Sequence, residues 1–354
     1  VKTCVSELNY LYGKPQARAE FKSQPEDFMV DEILDIEFTG EGEHVCLQIV
    51  KKGENTAFIA RKLAEFAGVA PRDVSYGGLK DRHGVCTQWF SVPVPIKQSL
   101  DFSKLNCDSL FVLKQVRHNR KLRTGCHKGN RFTITLRNVS EPLDLLSRVN
   151  AVRQGVPNYF GEQRFGHDGY NLEMAQRLFE GERIRDKKLR GLVISAARSH
   201  IFNQLVSRRV AEHGLAKTWH REVFMLSGSN AFFEEDISDE LIVRLLEEDI
   251  VLSAPLLGKG EKGLTALEVE WLKPFADWWQ GLGSLGLKNE RRALRVIPGN
   301  LLVKSLEATT IQLSFDLPKG CYATAILREL VHHEDVSHRN YDKKGNNQDE
   351  DTAQ

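Results

Sequence analysis

Apolar residues alternate with polar ones at Phe28 and Val30, after Pro25, and again at Val45, Leu47 and Ile49, after the glycine-rich turn at 40–42. A period of two predicts strands in both places. Asn55 is positioned to cap a helix whose apolar face is Ile59, Leu63 and Phe66, with Gly68 as its stop and Pro71 beyond. Further strands are expected at Trp89-Phe90-Ser91-Val92, ended by Pro93 and Pro95, and at Phe111-Val112-Leu113. The clearest alternation is Phe132, Ile134 and Leu136 against Thr133, Thr135 and Arg137, which puts Asn130 at a strand entrance.

From about residue 156 the texture becomes helical, including a helix from Ser195 to His213 ended by Gly214 and an acidic helical segment around 239–249. Strand character returns with Ile311, Leu313, Phe315 and Leu317, followed by Pro318 and a helix from about Ala323 to Leu330. The expected organisation is therefore a sheet-rich domain interrupted by a helical block. From His338 the chain is polar and lacks a core face, which predicts a disordered tail.

Composition adds limits. With 354 residues and 41% hydrophobic content, the chain can bury the cores of two domains. No apolar run is long enough to span a bilayer and the N-terminus lacks signal-peptide order, so a cytoplasmic protein without a membrane partner is expected. The six cysteines are scattered with no Cys-x-x-Cys, and His332 and His333 are adjacent where a zinc helix would need the His-Glu-x-x-His spacing. Free thiols and no metal are the expectation. The net charge of +1 hides a separation: residues 117–131 hold six Lys or Arg and no acid, whereas 234–249 hold eight acids and one Arg. The basic run suits a phosphate surface or, equally, a solvated loop.

Between two strand signals lies Tyr76-Gly77-Gly78-Leu79-Lys80-Asp81-Arg82-His83-Gly84, a carboxylate flanked by cations in a flexible loop. Lys80 and Arg82 would hold Asp81 ionised, as a nucleophile or base needs, if their charges approach it. By residue type alone the turn-capping reading of this aspartate is the stronger one. No phosphate-cradling Gly-x-x-x-x-Gly-Lys-Ser/Thr, no dinucleotide Gly-x-Gly-x-x-Gly and no deaminase pattern occurs, which leaves chemistry by side chains without a cofactor.

The segments Lys22 to Val30, Gly78 to Gly84, Lys128 to Phe132, Val156 to Gly166, Ser195 to Arg198, Phe202-Asn203 and Leu317 to Thr324 resemble TruD-type tRNA pseudouridine synthases in content and order. The resemblance covers nearly the whole chain except its polar tail. It implies an α+β fold, with a mixed, mainly antiparallel sheet in a discontinuous catalytic domain (1–155 and 297–335), an inserted α/β domain (156–296) and a tail (336–354). It also implies isomerisation of uridine 13 of tRNA, with Asp81 as nucleophile and Phe28, Asn130 and Tyr322 around a flipped-out base, and no obligate protein partner. The family commonly has Phe at the position of Tyr322 and Thr at that of Cys86. Phe132 is expected as core behind the pocket, because it keeps the strand period. Lys80 and Arg82 are expected near the carboxylate, Lys22 is left open between a phosphate, that carboxylate and solvent, and Arg120, Lys121, Arg123 and Lys128 are expected against RNA. Arg183, Arg185, Lys187, Lys188 and Arg190 form a second candidate RNA surface, with a solvated helix end as its rival. The residues alone leave Asn130 open as a turn residue and Phe28 as ordinary core. A non-catalytic RNA binder and an RNA glycosidase are the alternatives to an isomerase.

Overall fold

The computed structural model describes residues 5–339. The chain begins with β1 (Arg18–Phe21), β2 (Phe28–Ile33), β3 (His44–Lys52), α1 (Thr56–Ala67), β4 (Ser75–Tyr76), β5 (Val85–Pro93), β6 (Leu110–His118) and β7 (Gly129–Leu136). It continues with α2 (Pro142–Arg153), β8 (Val156–Pro157), α3 (Tyr170–Phe179), α4 (Lys187–Glu212), β9 (Arg221–Leu226), β10 (Phe232–Asp236), α5 (Asp239–Leu246), β11 (Ile250–Leu256), α6 (Ala266–Trp271), α7 (Ala276–Ser284), β12 (Glu290–Ala293) and β13 (Arg295–Val296). Last come β14 (Gly299–Glu307), β15 (Thr310–Pro318), α8 (Ala323–Leu330) and β16 (His332–Asp335). Among the described residues no helix is long and apolar enough to cross a membrane.

Two compact units emerge. The sheet unit comprises the described parts of Pro15–Val149, Pro298–Gly320 and Leu330–Gln354. Its strands run in the order β14-β15-β7-β2-β5-β3-β6, with β4 added on β5. β2 and β5 pair in parallel, while the neighbours β14/β15, β15/β7, β7/β2, β5/β3 and β3/β6 are antiparallel. The alternation read at Phe28 and Val30 is real, and Glu32 continues it on the buried face. Helix α1 lays Ile59 and Leu63 against Leu47, Ile49 and Phe90 in one apolar cluster, and Gly68 at φ 68° closes it in the left-handed conformation that glycine tolerates. Asn55 stands at the helix start without a side-chain cap bond.

The helical unit comprises the described part of Val1–Lys14, with Asn150–Ile297 and Cys321–Glu329. Its core is α4, which buries Val193, Ala197, Ile201, Phe202 and Val206, and its sheet runs β10-β9-β11-β12. Helix α4 begins at Lys187, eight residues before the expected Ser195, because the Asp186 carboxylate caps it by accepting from the amides of Lys188 and Leu189.

Several segments differ from the sequence expectation, among them residues 150–155, which cluster with the helical unit. Residues 5–14 and 321–329, expected with the first domain, cluster with the helical unit. The Arg328 guanidinium donates to the carbonyls of Val5, Leu8 and Asn9, and the Glu329 carboxylate accepts from the amides of Leu11 and Tyr12. Residues 336–339, expected in the disordered tail, are placed: Val336 is buried with its amide on the Phe21 carbonyl, and Arg339 bonds Glu20 at 2.6 Å. The rest of that tail, 340–354, lies outside the described residues.

Candidate active site

Asp81 sits in the loop between β4 and β5, at the end of the β2/β5 parallel pair. Gly84 is what lets this loop pass β2, since a Cβ there would lie 2.5 Å from the Phe28 carbonyl oxygen. Both carboxylate oxygens of Asp81 are held: Oδ2 accepts from Lys22 Nζ at 2.6 Å and Oδ1 from the His83 amide at 2.9 Å. The Asp81 side chain keeps 16% exposure, against 4% for Lys22. Lys22 adopts φ 60°, a left-handed conformation unusual for a side-chain-bearing residue, and its ammonium lies 4.5 Å from the Phe28 ring centroid. Lys22 also comes within 3.7 Å of Asp335.

The cations next to Asp81 in sequence have other partners. Lys80 Nζ donates to Glu32 Oε1 at 2.6 Å, an ion pair with side-chain exposures of only 6% and 1%. The second Glu32 oxygen accepts from the Trp89 amide. Arg82 is exposed and donates to the Gly53 carbonyl. Lys22, 59 residues away in the chain, seats its ammonium on Asp81, while Lys80, expected there, pairs with Glu32. The loop itself is fixed from below residue 81: Thr56 Oγ1 accepts from the Lys80 amide and donates to Gln88, whose amide donates to the Gly78 carbonyl.

Cys86 occupies the position where threonine was expected. Its thiol lies 3.5 Å from the Asp81 carbonyl oxygen, so a local hydrogen bond survives the departure in weaker form. Burial pushes the Cys86 thiol pKa up.

Asn130 lies on β7 directly opposite Glu32 of β2. Gly129 before it pairs so closely with β15 that a Cβ would meet the Leu317 carbonyl oxygen at 2.4 Å. The Asn130 side-chain oxygen is buried and has no hydrogen-bond partner among the described residues. A buried acceptor left unmade costs about 1–3 kcal/mol. Phe28 packs edge-on to Phe21 at 5.4 Å and tilted at 6.1 Å to Phe132, which stacks on Phe315 at 5.7 Å. Phe132 is therefore core behind Phe28. Lys22, Phe28, Lys80, Asp81, Asn130 and Phe132 all belong to the sheet unit.

Tyr322 belongs to the helical unit. Its hydroxyl accepts from Arg164 Nε at 3.0 Å and its ring meets Phe160 edge-on at 5.8 Å. Gly161 makes room for it, since a Cβ there would lie 3.2 Å from the Tyr322 ring. A phenylalanine at 322 would give up the Arg164 bond.

The basic run divides by role. Arg117 is structural, donating to the Gly42 and Val94 carbonyls. Leu122 is buried and ties its amide to Ser91. Arg120, Lys121, Arg123 and Lys128 remain exposed, with Lys128 3.9 Å from Asp35. His127 is buried over Gly77, and burial pulls its pKa down. In the helical unit, Arg183, Arg185, Lys187, Lys188 and Arg190 are all exposed around the start of α4. Among the described residues no three His, Cys, Asp or Glu side chains come together as a metal site.

Two residues of this site escaped the sequence reading. Glu32 and Lys51 are buried polar side chains at inward positions of the strands that carry Phe28 and Val30, and Val45, Leu47 and Ile49. A charged residue in step with an apolar period was the available signal.

The family model described as tRNA pseudouridine synthase D (TruD) matches residues 5–185 and 182–330. The tRNA pseudouridine synthase D of Pseudoalteromonas translucida is 68% identical over 347 residues, covering 98% of this chain and 99% of that one. Its counterpart in Methylococcus capsulatus is 47% identical over 337 residues, covering 92% and 94%. In fold, the chain resembles a crystal structure from Methanosarcina mazei assigned to tRNA pseudouridine synthase D, with a TM-score of 0.69 at 20% identity, over 92% of this chain and 96% of that one.

Proposed function

Because the chain belongs to the tRNA pseudouridine synthase D (TruD) family, we propose that it isomerises uridine 13 of tRNA to pseudouridine in the cytoplasm, with Asp81 as the nucleophile. A uridine stacked in folded RNA must be extruded before its glycosidic bond can be reached. The N1–C1′ bond then breaks, the uracil turns, a C5–C1′ bond forms, the C5 proton leaves and N1 takes up a proton, so the reaction is balanced without oxidant, reductant or nucleotide. Attack by Asp81 at the sugar carbon or at the base requires the same ionised carboxylate.

The observation that carries this reading is a carboxylate held by Lys22 and the His83 amide, on the same unit as a buried amide oxygen, Asn130 Oδ1, that lacks a partner among the described residues. The uracil N3–H is a donor of the kind that oxygen needs. Phe28, buried with the Lys22 ammonium 4.5 Å from its ring centroid, is proposed as an aromatic contact of the base. Tyr322 is proposed as a further aromatic contact. Purified protein incubated with unmodified, prefolded tRNA should yield pseudouridine on nuclease digestion. Free uracil would identify a glycosidase, and unchanged uridine a binder.

The exposed cations Arg120, Lys121, Arg123 and Lys128 are proposed to touch tRNA phosphates. Such contacts set affinity and register rather than base identity. Arg120→Ala with Lys121→Ala should weaken binding to all substrate tRNAs alike and flatten the slope of log affinity against log salt by about 0.9 per lost contact. An unchanged slope and affinity would leave this run a solvated loop, with the cations around the start of α4 next in line.

A further inference from the structure

Lys51 has no exposed surface, and lysine is rarely buried so completely without partners. It follows Val45, Leu47 and Ile49 at the period of two along β3. Its ammonium donates to two backbone carbonyls on separate turns, Glu54 at 2.8 Å and Asp81 at 2.7 Å. One cation thereby ties the turn from β3 to α1 to the loop that carries the carboxylate. Directly across the ladder Cys86 pairs with Lys51, and its thiol reaches the same Asp81 carbonyl.

This arrangement is expensive if it only holds the fold. Desolvating an ammonium costs several kcal/mol, and burial does pull the Lys51 pKa down, while Cys86 and Asp81 act the other way and Lys80 adds to the lowering. An apolar residue would complete the β3 face at no such cost.

We propose that Lys51 is a positioning residue for the isomerisation: it fixes the main chain of Asp81 through its carbonyl and, as a buried cation, favours the ionised carboxylate. The inference rests on the reading of Asp81 as nucleophile. Lys51 does not touch the base or the sugar; it acts through Asp81.

Lys51→Met in the full-length protein should bind tRNA within about twofold of wild type yet lose kcat by tenfold to a hundredfold, the scale that follows when a reacting group is displaced. The acidic limb of its pH–rate profile should move to higher pH, because the carboxylate has lost a neighbouring positive charge. Lys51→Gln keeps donors for the carbonyls but not the charge, so it should recover part of kcat while keeping the displaced limb. It also carries the test if Lys51→Met does not fold. Folded variants with wild-type kcat and an unmoved limb would overturn the inference, as would losses confined to thermal stability or tRNA affinity. Asp81→Asn is measured alongside. If that protein is inactive while the Lys51 variants are fully active, only the role of Lys51 fails; if it is active, the reading of Asp81 fails first.

Discussion

Asp81→Asn should bind unmodified tRNA almost as the wild type does and form pseudouridine slower by on the order of ten-thousandfold or more, the scale seen when a catalytic nucleophile is removed. The two oxygens of Asp81 face two donors, the Lys22 ammonium and the His83 amide. An asparagine has one oxygen for them, so its NH2 must confront the other donor. That mismatch costs about 1–3 kcal/mol of stability, which leaves the fold standing and isolates the chemical effect. Asp81→Ala should be equally inactive. Turnover by Asp81→Asn near the wild-type rate, read in a single-turnover assay at saturating enzyme, would remove this carboxylate from the mechanism.

Lys80→Met should destabilise the protein by about 3–5 kcal/mol, the usual cost of leaving one member of a buried ion pair without its partner. Glu32 is almost fully buried and its carboxylate is ion-paired with Lys80. Glu32→Gln added to Lys80→Met should restore most of the loss, because the glutamine oxygen still accepts from the Trp89 amide and no buried charge remains. Urea unfolding of the two variants beside wild type provides the measurement. A Lys80→Met protein within about 1 kcal/mol of wild type would show that Glu32 gains water or a proton at little cost. Lys80 sits beside Asp81 in sequence, so this prediction also separates support of the loop from direct action on the carboxylate.

The local grammar of the chain carried much of the fold. Alternation at Phe28 and Val30, at Phe132, Ile134 and Leu136, and at Ile311 to Leu317 marks strands β2, β7 and β15, because a sheet face covered on one side imposes a period of two. The loop bearing Asp81 was legible for the same reason: glycines and charges between two such runs. What was not legible is long-range pairing. Nothing near Lys22 in sequence announces Asp81 as its partner, and Lys80 lies next to Asp81 yet reaches Glu32 across the sheet. Adjacency along a loop says little about where a four-carbon side chain ends. The allegiance of residues 5–14 and 321–329 to the helical unit shows in bonds such as Asn9 to Ser207 and Arg164 to Tyr322, 198 and 158 positions apart, which no local pattern encodes. Glu32 and Lys51 could have been flagged as charges on apolar faces, but their partners could not.

The most direct test of the central claim is release of label from a tRNA carrying tritium at C5 of uridine 13. Isomerisation replaces the C5–H bond by C5–C1′, so the wild-type protein should release one equivalent of tritium to water per tRNA, with the base still attached, and Asp81→Asn should release none on the same timescale. Tritium retained on freed uracil, or release by Asp81→Asn at the wild-type rate, would contradict the account.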